Sequence, residues 1–125
     1  MQTINTTAAP AAIGPYSQGM LCGKLLFTAG QIPLLPETME LADGGIEAQT
    51  EQVLSNLEAI LLAAGTTWEG VVKTTIYLTD LADFDIVNRI YERRLGEAKP
   101  VRSTVQVAAL PRGAKIEIDL VAQVD

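Results

Sequence analysis

From Ile46 to Ala64 the apolar positions 46, 50 (through the threonine methyl), 53, 54, 57, 60, 61 and 64 recur at intervals of three and four. That is the period of one helix face, sustained over about five turns. Such a face must be buried against another layer. Gly65 stands where a left-handed residue can close the helix. Beyond it, VVKTTIYLTD at 71–80 is rich in β-branched residues and reads as a strand. Asp80 or Asp83 can then cap a second helix running to about Leu95. Phe84, Val87, Ile90, Tyr91 and Leu95 keep helical spacing, and Gly96 ends the run.

The flanks supply more strands. Residues 18–22 and 24–30, split by Gly23, read as a β-hairpin that ends at Gly30. Segments 103–109 and 115–124 flank LPRG, and the second alternates cleanly: Ile116, Ile118, Leu120, Ala122 and Val124 on one side, Lys115, Glu117, Asp119 and Gln123 on the other. Pattern alone pairs these two as a hairpin. The order is ββαβαββ, an α+β arrangement with both helices on one face of the sheet, in a single domain over 1–125. Thr75, Tyr77, Val105, Val107 and Val121 make the other face partly apolar, so self-association is the expected way to cover it.

Composition removes several classes of function. With 125 residues, 48% of them hydrophobic and 19% charged, one core is expected. A formal charge of −6 repels a polyanion, and 5% aromatics leaves few rings to stack bases, so nucleic acid is not an expected partner. There is no histidine, hence no Ser-His-Asp triad, no Cys-His pair and no imidazole metal site. No phosphate loop is present. No export signal and no apolar run of membrane-crossing length are seen, so a soluble, cytoplasmic chain is expected, and the Asn5-Thr6-Thr7 sequon then has no meaning. The single Cys22 reads as a buried, inert strand residue.

Chemistry is left to carboxylates, arginine, tyrosine, hydroxyls and backbone amides. Arg102 and Thr104 are two apart at the start of a strand and project to the same side. A guanidinium fork beside a hydroxyl and a free N–H suits a bidentate carboxylate, but a surface ion pair would use the same arginine. Glu117 is either part of a solvated face or a general base holding a water. Tyr16 in IGPYSQG can be a turn aromatic, and Asn88 in DIVNRIY a helix surface residue.

The segments APAAIGPYSQG, FTAGQIP, EAQTEQVLSNLEAILLAAG, VVKTTIYLTDLADFDIVNRIY and PVRSTVQVAALPRGAKIEIDLVA together resemble the RidA (YjgF) family of reactive-intermediate deaminases, from about Ala9 to Ala122. The resemblance implies a chorismate-mutase-like fold and a homotrimer whose sheets form a central barrel, with clefts between subunits. It also implies that the last strand lies inside the sheet, replacing the hairpin pairing. The implied activity is hydrolysis of 2-iminobutanoate and 2-iminopropanoate, derived from enamines such as 2-aminoacrylate, to 2-keto acids and ammonia, with no metal or organic cofactor. Arg102 matches the residue that binds the substrate carboxylate, Thr104 a backbone amide beside it, and Glu117 the glutamate associated with the attacking water. Tyr16, Gly30 and Asn88 match positions lining or supporting the cleft. Two departures stand out: Ala29 where the family often has serine, and Thr104 where it often has cysteine. The same residues would serve a non-catalytic keto-acid-binding trimer. An endoribonuclease or translation inhibitor, activities attributed to some relatives, fits the charge poorly.

Overall fold

The computed structural model describes residues 1–125. The long apolar stripe forms α1, Gly45–Ala63, and the second forms α2, Phe84–Leu95. Gly65 and Gly96 follow them at φ 86° and 61°, the left-handed region open to a residue without Cβ. Asp80 caps a single 3₁₀ turn, Leu81–Asp83, by accepting from the Ala82 N–H at 2.9 Å, and α2 continues directly from it. Arg93 and Arg94 in the last turn of α2 favour the helix dipole, and both hold Glu51 of α1.

Six strands form one sheet: β1 (Gln2–Ile4), β2 (Gly19–Cys22), β3 (Leu25–Thr28), β4 (Val71–Leu78), β5 (Val101–Gln106) and β6 (Ile116–Gln123). Their spatial order is β1-β2-β3-β6-β4-β5. The β2–β3 hairpin stands as expected. The pattern-based pairing of the last two strands does not: β6 lies antiparallel between β3 and β4, and β5 runs parallel to β4 at the edge. The reason is the β4–α2–β5 crossover, which returns β5 parallel beside β4 and leaves the other edge of β4 to β6. The sheet also gains β1, absent from the ββαβαββ order, as a three-residue strand on β2.

Both helices cover the face carrying Leu26, Thr74, Ile76, Leu78, Ile116, Ile118, Leu120 and Ala122, all between 0 and 2% exposed. Against it α1 sets Val53, Leu54, Leu57, Ile60 and Leu61, each at 0%. Each large aliphatic side chain so buried contributes roughly 1.5–3 kcal/mol before entropy is counted. The opposite face is bare in this chain. Leu25, Phe27, Val101 and Val105 are 39–65% exposed there, beside Thr75, Tyr77, Glu117 and Asp119. Cys22 is exposed rather than buried, because it pairs with Leu25 and so projects to this same face. No helix is long and apolar enough to cross a membrane.

Candidate functional site

Arg102 is the second residue of β5 and pairs with Thr74, whose fully buried side chain fixes the direction of both toward the helices. There its guanidinium lies 5.0 Å from the Tyr91 ring centroid and 5.5 Å from that of Phe84. Nη1 donates to Asn88 Oδ1 at 2.7 Å. Tyr91 is held in turn by a 2.7 Å hydrogen bond between its hydroxyl and Thr74 Oγ1. Burial pushes the Tyr91 phenol above its ordinary pKa, so it stays neutral under the cation. Arg102 is thus fixed on two rings and one amide, with no carboxylate partner, at the mouth of a cleft of about 320 Å³ lined also by Asn88, Leu95, Lys99 and Pro100. A surface ion pair is not what this arginine makes.

Thr104 shares the Arg102 side of β5, as the two-residue period requires. The Val107 N–H donates to the Leu78 carbonyl at 2.8 Å, so in the alternating parallel ladder the N–H of Thr104 points away from β4, along the open edge. Its hydroxyl oxygen is buried and has no hydrogen-bond partner.

Glu117 sits on the opposite face, paired with Tyr77 across the β4–β6 ladder. Burial first, and then the Asp119 charge, raise its pKa above the ordinary carboxylate value. Asp119 also accepts from the Tyr77 hydroxyl at 3.1 Å. Gly30 reaches Glu117 through an irregularity: Phe27 pairs with Val121 but Gln31 bridges Ile118, so β3 carries one residue more than β6 over this span. The Thr28 hydroxyl fills the gap by accepting from the Leu120 N–H at 3.0 Å. A Cβ on Gly30 would lie 2.7 Å from Glu117 Cδ, nearer than atoms pack. Only glycine leaves the carboxylate its place.

Tyr16, 54% exposed, stands with Gly30 in a second cleft of about 320 Å³. Its loop is pinned by Gln18, whose amide accepts from Thr6 N–H at 2.7 Å and donates to the carbonyls of Pro10 at 2.7 Å and Thr6 at 3.0 Å.

The six sequence-derived positions therefore form two groups. Arg102, Asn88 and Thr104 lie on the helix side of the sheet edge, and Tyr16, Gly30 and Glu117 at its open face. Between Arg102 and Glu117 stand two strand spacings and three residues of register, about 14 Å of backbone, with the side chains on opposite faces. No group of three His, Cys, Asp or Glu side chains comes together as a metal-ligand set. Phe84 and Tyr91 escaped notice as site residues because their helical spacing reads as core.

A six-stranded mixed sheet with two helices on one side and polar groups at one edge defines a class of small α+β proteins. TdcF of E. coli, solved with bound serine, superposes with a TM-score of 0.95 and 41% identity over 100% of both chains. The chain belongs to the endoribonuclease L-PSP (YjgF/RidA) family, whose model matches residues 6–124. It is 52% identical over 123 residues to protein DfrA of Myxococcus xanthus, covering 97% of this chain and 94% of that one. To the mouse 2-iminobutanoate/2-iminopropanoate deaminase it is 46% identical over 121 residues, covering 97% and 90%.

Proposed function

We propose that this protein hydrolyses 2-iminobutanoate and 2-iminopropanoate to 2-keto acids and ammonia, in the cytoplasm, at clefts shared by neighbouring copies of a homotrimer. The observation that carries the proposal is the split of Arg102 and Glu117 between opposite faces of one sheet. A cation that grips a carboxylate and a base that holds a water cannot serve one small molecule from there. They can if the edge of one copy meets the open face of the next, and Phe27, Leu25, Val101 and Val105 give that face an apolar reason to be covered. The name of the mouse relative and the serine held by TdcF support a small amino-acid-like substrate.

Arg102, prealigned on its rings, binds the substrate carboxylate bidentately, and the Thr104 N–H supplies a further donor. The imine carbon then faces a water on Glu117 of the neighbouring copy. With the imine nitrogen protonated, Glu117 takes a water proton as the C–O bond forms, giving the neutral carbinolamine, and passes it to nitrogen. As the C–N bond breaks and the C=O bond forms, Glu117 accepts the hydroxyl proton and hands it to the released ammonia or to solvent. Tyr16 walls the pocket. The raised pKa of Glu117 brings it nearer to working pH, which suits a group that both accepts and gives a proton.

Mixed oligomers test this. Arg102→Ala and Glu117→Gln should each remove acceleration of imine hydrolysis, measured as ammonia release from freshly generated 2-iminobutanoate. Unfolded and refolded together in equal amounts, the two should regain about one quarter of parental activity, because one cleft in four then receives both intact residues by chance. No recovery in confirmed mixed oligomers would place both residues in one chain's site and sink the proposal. Ligand binding without any ammonia release by the parent would leave a keto-acid-binding trimer in its place.

A further inference from the structure

Arg112 is the one charged side chain among the residues lining the Tyr16–Gly30 cleft. It follows Pro111 in a single 3₁₀ turn and takes φ 63°, the left-handed region. Met39, across the lip of the same cleft, also has φ 63°, and these are the only non-glycine residues in the chain with positive φ. Such a conformation costs roughly 1–2 kcal/mol per residue. The two meet through one hydrogen bond, Arg112 Nη1 to the Met39 carbonyl at 3.3 Å. No carboxylate pairs with Arg112, whereas Arg93 and Arg94 are both tied to Glu51. Strain held at a cleft lip, in order to carry a guanidinium with most of its donors unused, is characteristic of a ligand clamp.

We infer that Arg112 binds the distal anionic group of the substrate and extends the substrate class to 2-imino dicarboxylates of four or five carbons. The inference rests on Arg102 anchoring the α-carboxylate as proposed above. With that anchor on one copy and Glu117 beneath Gly30 on the next, the substrate's far end points into the cleft that Arg112 closes. Ile32, Leu34 and Pro111 give the intervening methylenes an apolar wall. Arg112 then supplies a second guanidinium, the only cationic group among the residues lining this cleft.

The test uses 2-keto acids, the stable products, as probes: 2-oxoglutarate and 2-oxobutanoate titrated calorimetrically into the intact oligomer. Arg112→Gly deletes the side chain and suits a left-handed backbone, so it should fold. The expected result is roughly tenfold tighter binding of the dicarboxylate by the parent, lost in Arg112→Gly and partly regained in Arg112→Lys. An affinity ratio that is equal in the parent and Arg112→Gly overturns the inference. So does dissociation of the Arg112→Gly oligomer, which would make Arg112 an intersubunit contact instead. If the ratio shifts as expected but no imine is hydrolysed, the catalytic proposal fails alone and the dicarboxylate site remains.

Discussion

Gly30→Ala isolates the contribution of one carboxylate's position. Gly30 does not have positive φ, so alanine is allowed by the backbone, and the gain from a stiffer unfolded chain is about 0.4–1 kcal/mol. Against this, the new methyl would run into the Glu117 carboxylate, meeting Oε2 first, then Cδ at 2.7 Å and Cγ at 3.1 Å. Glu117 must therefore rotate, at a cost of about 0.5–1.5 kcal/mol for an off-rotamer side chain. The two effects nearly cancel, and the melting temperature should move by no more than about 5 °C. Activity should not be so forgiving. A general base swung from its water loses roughly 10²–10⁴ in rate. The assay is kcat/KM for 2-iminobutanoate hydrolysis beside a thermal melt, with Glu117→Gln as the limit of complete loss. A Gly30→Ala protein that matches the parent in both would refute the claim that the close approach of Gly30 sets the working position of Glu117.

Other perturbations follow from the same geometry. Arg102→Lys keeps the charge but not the planar fork or the ring stacking, so it should recover less than about a tenth of parental kcat/KM. Activity should fall as pH drops through the raised pKa of Glu117, at a higher pH than an ordinary glutamate gives, and this acid limb should vanish with the activity in Glu117→Gln. The stability effect has the opposite sign. A folded pKa above the unfolded value of about 4.3 favours the fold at acid pH, and that contribution is lost as pH rises through the raised pKa. Glu117→Gln should therefore melt higher than the parent at pH 8, with the gap closing near pH 4; a constant gap contradicts the raised pKa. Thr104→Val removes a buried hydroxyl that has no partner, and should raise the melting temperature. A lower one would mean that the neighbouring copy satisfies that oxygen.

The helices and the polarity of β6 were legible because their periods are long and unbroken: Ile116 to Ala122 alternate in burial as the sequence alternates in type. Pairing was not. Nothing in the spacing of 103–109 and 115–124 separates a hairpin from two strands kept apart by β4; the resemblance carried that information. β1 was missed because three residues, Gln2–Ile4, make too short a pattern, and their order depends on β2. At the site, Arg102 and Glu117 could be named as chemical candidates, yet the ring platform under the arginine reads in sequence as two more core positions of α2. The extra residue in β3 that brings Gly30 against Glu117 has no local signature, since it is defined by its partner strand.

The family model carries an endoribonuclease description, and the placement of charge bears on it. An enzyme that binds RNA tightly typically neutralises several phosphates at once, which requires a stripe of free cations. Here there are nine Lys and Arg in all against fifteen Asp and Glu. Arg93 and Arg94 are spent on Glu51, and Arg102 is laid on Phe84 and Tyr91 at the sheet edge. A net charge of −6 would then oppose every further phosphate. A substrate with one or two carboxylates escapes this penalty. Beyond about 8 Å the acidic surface is screened at physiological salt, while a guanidinium within hydrogen-bond reach of the ligand is not. If Arg102 binds the substrate as proposed, one well-oriented arginine in a half-buried cleft would select small anions from polyanions, and the acidic remainder of the surface would sharpen the choice.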